Sequence, residues 1–67
     1  MEAFANRLEM LRKEKGWSVN ELAQKVHVSP SAIRFYETGR SAPGFWTLME
    51  IVKVLDVSLD FLCLGEE

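Results

Sequence analysis

Residues 17–40 read "WSVNELAQKVHVSPSAIRFYETGR", and this stretch decides the fold. Ser18 is a good helix N-cap, and Glu21 follows three residues later as a capping-box partner. Leu22, Ala23 and Val26 then share one helical face. A second start signal follows at once. Ser29 suits an N-cap, Pro30 the first helical position, and Gly39 a C-terminal stop. Only "VHV" separates the two helices. A connection of about three residues forces them to cross steeply, as in a helix-turn-helix. Leu22, Val26 and Val28 bracket the turn, with Ile33 and Tyr36 facing back toward them. Ala23 stands where the first helix must let the second approach, so a small residue is needed there. The second helix also carries Ser31, Arg34 and Phe35 off its inner face, which predicts an outward surface that reads something.

Outward from this pair, apolar residues recur at helical spacing and no segment alternates with period two. The spacing predicts a first helix over about Glu2 to Lys15, with Phe4, Leu8 and Leu11 inward and Gly16 as its stop. A fourth covers about Phe45 to Leu55, with Phe45, Leu48, Ile51, Val52 and Leu55 inward, after the connection "GRSAPG". A fifth runs from about Leu59 to Leu64, capped by Ser58. Trp17 reads as core and His27 as a turn residue. No internal repeat, low-complexity tract or linker is visible. Residues 1–67 therefore read as one compact, all-α, five-helix domain.

Composition narrows the function. The 67 residues hold one cysteine, Cys63, and one histidine, His27, too few for an intrachain disulfide or a Cys/His zinc site. No apolar run reaches the ~20 residues of a membrane span, and "MEAFANRLEM" lacks the basic and apolar regions of a signal peptide. The chain reads as cytoplasmic. No pair of catalytic groups or pocket-forming loop points to an enzyme, and no cofactor or small-molecule ligand is expected. Net charge is −2, unevenly spread: residues 12–40 carry +3 and residues 41–67 carry −4. Screening cuts off charges beyond ~8–10 Å, so local sign governs docking on a phosphate backbone.

Taken in register, "LRKEKGWS", "ELAQKV", "VSPSAIRFYETGR" and "VLDVSLDFL" resemble the helix-turn-helix of phage repressors and Cro, the Xre family. The likeness runs from Leu8 to about Leu62. It implies a lambda-repressor-like fold whose third helix, about residues 29–38, lies in the major groove of double-stranded DNA. It also implies a sequence-specific, repressor-like regulator of transcription. Arg34 is placed to reach a guanine edge or a phosphate, Phe35 and Pro30 to touch thymine methyls, and Ser31 to donate or accept. Thr38 and Arg40 are expected on the DNA backbone, as are Ser18, Val19 and Ser29 at the helix starts. In this family the arginine ending the first helix pairs with the glutamate near the end of the third, here Arg12 and Glu37. The chain departs from the family pattern at Val19, where glutamine is common, and at His27, where glycine is common. It departs again at Pro30 and Ser31, where long amide side chains are common.

Trp46, Val54 and Phe61 lie off the inner stripes. They are read as dimer-interface candidates on the fourth and fifth helices, giving a homodimer. A reading of a different class makes the domain an antitoxin-like interaction module that masks a protein partner and binds DNA secondarily.

Overall fold

The structure is a computed structural model that describes residues 2–66. Within them the chain forms α1 (Glu2–Glu14), α2 (Val19–Val26), α3 (Pro30–Glu37), α4 (Phe45–Leu55) and α5 (Leu59–Leu64), with no strand among the described residues. The expected boundaries agree to within a residue.

The starts of α2, α3 and α5 are each explained by a serine side chain. The Ser18 hydroxyl accepts from the Glu21 amide at 3.0 Å, and the Ser18 amide donates to the Glu21 carboxylate at 2.7 Å, completing a capping box. Ser29 and Ser58 accept from the Ala32 and Phe61 amides at 3.1 and 3.0 Å. α4 starts at Gly44 without a side-chain cap bond. The ends are equally regular. After every helix one residue turns left-handed: Gly16, His27, Gly39, Asp56 and Gly65. His27 (φ 63) and Asp56 (φ 57) hold this conformation without being glycine, which their polar side chains tolerate better than most.

One cluster drawn from all five helices forms the core: Phe4, Leu8, Leu11, Leu22, Ala23, Val26, Ile33, Ile51, Leu55 and Leu62. Burying a side chain such as Ile33 or Leu62 contributes about 1.5–3 kcal/mol. α1 packs against both α3 and α5, α2 against α3 and α4, and α4 against α5. Two arginines of α1 tie those contacts down. Arg12 forms a fork with Glu37 of α3, Nε to Oε2 at 2.7 Å and Nη2 to Oε1 at 3.0 Å, and its Nη1 donates to the Trp17 carbonyl at 2.8 Å. Arg7 Nε donates to the Leu62 carbonyl of α5 at 3.0 Å.

One inward assignment changes, and three residues expected inward pack at the core margin. Phe45 was expected on the inner stripe of α4 and is 63% exposed. It is the first residue of the helix, and helical side chains lean back toward the N-terminus, so its ring projects past the end of the core. There it meets Trp46 edge-on, with centroids 5.1 Å apart. Leu48 and Val52 are half-buried at the core margin. Trp17 was expected as core and is also half-buried; its ring packs on the cluster while Lys25 Nζ stands 4.6 Å from its centroid. An amphipathic indole under an ammonium group needs one face open.

Candidate nucleic-acid interface

α3 is the second helix of the helix-turn-helix pair, and its geometry follows from which groups the core consumes. Ile33 is wholly buried, and Tyr36 packs on the cluster beside it. The opposite side presents Ser31, Arg34 and Phe35 to solvent. Glu37, the one acid on α3, points inward. Its side chain is only 6% exposed and is neutralised by Arg12. The outward formal charge of α3 is therefore that of Arg34 alone. Donating to the Glu37 carboxylate holds the Arg12 guanidinium above its ordinary pKa, against a smaller opposing cost of burial. The pair serves two ends. It removes an anion from a surface that would face phosphate, and it sets a cation against the negative C-terminal end of α3.

The end of α3 makes a second feature. The Arg40 amide donates to the Phe35 carbonyl at 2.9 Å, and the Gly39 amide to the Tyr36 carbonyl at 3.4 Å. This is a Schellman turn, which requires the left-handed Gly39 (φ 76). It folds Arg40 back over the helix it follows, with the guanidinium carbon 5.6 Å from the Phe35 centroid. Phe35, 45% exposed, thus becomes an apolar ledge beneath a cation. Arg34 and Arg40 extend to solvent from successive turns of chain.

The other expected contacts divide by what their side chains already do. Ser18 and Ser29 are exposed, but their hydroxyls accept cap bonds. Thr38 Oγ1 donates to the Arg34 carbonyl at 2.9 Å, so it closes the helix and offers only acceptor capacity outward. Pro30 is half-buried. Val19 packs its side chain on the core, so only its backbone amide can serve a phosphate there. Sequence reading missed the Lys25–Trp17 and Arg40–Phe35 stacks. Neither stack pairs two residues of one helix: Trp17 precedes α2 and Arg40 follows α3. Of the dimer candidates, Trp46 is 80% exposed, while Val54 and Phe61 are half-buried against the core.

A helix of this composition, crossing a capped partner after a three-residue turn, identifies the architecture, and the helix-turn-helix family model matches residues 8–62. The chain belongs to the helix-turn-helix family. Within it the fold is that of the phage-repressor, or Xre, type. It superposes on the P22 c2 repressor in complex with synthetic operator 9T with a TM-score of 0.93 and 27% identity, over 98% of this chain and 100% of that one. Against SinR, a master regulator for biofilm formation, in complex with DNA, the TM-score is 0.81 at 37% identity, over 88% and 95%. In sequence it is 38% identical over 63 residues to YqaE of Bacillus subtilis (strain 168), an uncharacterised helix-turn-helix transcriptional regulator. That match spans 94% of this chain and 54% of YqaE. In helix-turn-helix proteins the second helix of the pair lies in the major groove. No helix among the described residues is long and apolar enough to cross a membrane.

Proposed function

We propose that this chain is a sequence-specific DNA-binding regulator of transcription and acts as a homodimer. The carrying observation is the division of α3 into a buried side around Ile33 and an acid-free outward side around Arg34, on a helix anchored to α1 through Glu37. Arg34 reads a base edge, Arg40 and the α2 amides hold the backbone, and Ser31 and Phe35 supply the remaining contacts. Bidentate amide contacts to adenine are not available on α3, so part of the preference comes from apolar contact and DNA shape. The likeness to the P22 c2 repressor solved on a synthetic operator, and to SinR solved on DNA, supports this reading. Two copies of α3 related by a twofold axis meet successive major grooves, about 34 Å apart, and act by occupying the site.

Selection of random duplexes by the purified chain tests binding, preference and half-site spacing together. A palindromic consensus is expected, and absence of any enriched sequence overturns the reading. With the consensus in hand, Arg34→Ala is expected to weaken binding by about 1–3 kcal/mol and to relax one base position. An equal loss on matched and mismatched sites would assign Arg34 to phosphate instead.

A further inference from the structure

Two arginines of this chain are held in opposite ways. Arg12 has committed its donors: Nε and Nη2 donate to the Glu37 carboxylate and Nη1 to the Trp17 carbonyl. Its charge is neutralised inside the fold. Arg40 is exposed, and among the described residues it forms no ion pair. The acids that flank it in sequence are Glu37, already taken by Arg12, and Glu50 on α4. What meets Arg40 is a ring, that of Phe35, with the guanidinium carbon 5.6 Å from its centroid.

That partner has a chemical consequence. A guanidinium stacks through its face, while its N–H donors lie in its plane and point outward. A ring beneath the group therefore restricts its motion and leaves the donor fork whole. A carboxylate in the same place would fix the group by occupying the fork and cancelling the charge, as Glu37 does to Arg12. The backbone is fixed as well. The Phe35 carbonyl accepts from the Arg40 amide at 2.9 Å and from the Ser41 amide at 3.3 Å. Residue 35 thus holds residue 40 twice, by its carbonyl and by its ring. A long exposed arginine loses side-chain freedom when it binds, and one already held loses less.

We propose that Phe35 is a positioning residue for Arg40, presenting the guanidinium, fork outward, to a phosphate of the DNA backbone. The inference rests on the DNA-binding reading above and adds to it a task for Phe35 that involves no base. On a duplex without the consensus, where base-specific contacts drop out, the whole effect of Phe35 runs through Arg40.

The test is a double-mutant cycle on such a duplex at low ionic strength. Anisotropy of labelled DNA follows binding of the wild type, Phe35→Leu, Arg40→Gln and the double variant across a salt series. Arg40→Gln is expected to flatten the slope of log affinity against log salt by about 0.9, the signature of one phosphate. Phe35→Leu keeps an apolar side chain without a π face. It is expected to weaken binding about two- to fivefold, and to change nothing further in the Arg40→Gln background. Phe35→Tyr, the conservative variant, keeps the ring and should rescue the loss. Phe35 is 45% exposed and outside the core, so these variants keep the fold, which helical circular dichroism verifies. Additive losses in the cycle overturn the coupling, and so does a Phe35→Tyr chain as weak as Phe35→Leu. An unchanged salt slope in Arg40→Gln overturns the phosphate contact, as does a wild type that binds only the consensus. Each of these outcomes leaves DNA binding itself in place. A wild type with no affinity for any duplex overturns the DNA-binding reading, and this inference with it.

Discussion

At Val26–His27–Val28–Ser29 and again at Leu55–Asp56–Val57–Ser58, the chain performs the same four steps. An apolar residue ends a helix in the core, a polar one turns left-handed, a valine packs under the turn, and a serine caps the next helix. The backbone agrees closely. His27 has φ 63 and ψ 41, Asp56 has φ 57 and ψ 47. The Val28 amide reaches the Ala23 carbonyl at 3.0 Å, and the Val57 amide the Val52 carbonyl at 3.2 Å. Four residues after each serine a wholly buried side chain enters the core, Ile33 and Leu62. The two corners then diverge outside. α3 continues with Ser31, Arg34 and Phe35 and has no acid in its first turn. α5 continues with Asp60 and Phe61 and has no base in its last. One corner geometry thus presents opposite charge to two different surroundings. The outward residues set the role of a corner, and the inward residues set its shape.

The corners also differ in how α1 holds them, and this gives the largest expected contrast. Arg12 makes a buried, bidentate ion pair with Glu37 and a bond to Trp17, whereas Arg7 donates to one neutral carbonyl. Arg12→Ala strands a buried carboxylate and is expected to cost about 3–5 kcal/mol in denaturant unfolding. Arg7→Ala should cost only about 1–2 kcal/mol. Arg12→Ala and Glu37→Ala combined should lose well under the sum of the two, since either alone breaks the same pair. Equal losses at Arg7 and Arg12 would mean the two anchors are equivalent.

Next in size come the caps. Ser29→Ala and Ser58→Ala should each lower stability by about 1 kcal/mol, because each leaves one helix-start amide without its acceptor. If α3 alone reads DNA, only Ser29→Ala should also reduce affinity for the selected duplex at temperatures well below melting. A comparable affinity loss for Ser58→Ala in a demonstrated dimer would show that the α4–α5 corner sets the spacing of the two reading helices.

The left-handed residues give a smaller effect of opposite sign. Glycine reaches this conformation without a Cβ clash, so His27→Gly is expected to raise stability by about 0.5–1 kcal/mol. Asp56→Gly should gain less, since aspartate visits the region more readily. Thermal melts of the two variants side by side decide whether the corners carry equal strain.

The smallest effect concerns pH and sets both corners against the start of α2. Glu21 closes a capping box, and its bond from the Ser18 amide, followed by that to the Ser18 side chain, lowers its pKa below the ordinary glutamate value. A depressed carboxylate contributes stability that is complete above its unfolded pKa, ~4.3, and is lost as pH falls through the lower folded value. Neither Ser29 nor Ser58 has an acid three residues on; those places hold Ala32 and Phe61. Acid titration of unfolding should therefore flatten slightly in Glu21→Gln, whereas changing the caps at residues 29 and 58 should leave its slope alone.

Local chemistry made most of this architecture legible from the chain itself. Serine caps, polar or glycine left-handed stops and 3.6-residue spacing each act within one turn of helix, so the sequence alone determined five helices, their limits, the crossing of α2 with α3 and the outward set Ser31, Arg34 and Phe35. The Arg12–Glu37 pair was legible only through family likeness, because 25 residues separate its members. What the tertiary structure decided lies wherever the end of an element or a turn sets the neighbour. Phe45 fits the apolar stripe of α4 yet stands in solvent, because the core ends one turn below it. Lys25 is folded over Trp17 and Arg40 over Phe35, each contact joining a helical residue to one beyond the end of that helix. Arg7 and Phe61 line one hollow because α1 packs on α5. Spacing along a chain reports which residues share a face of one helix; only packing reports which faces of different helices become one surface.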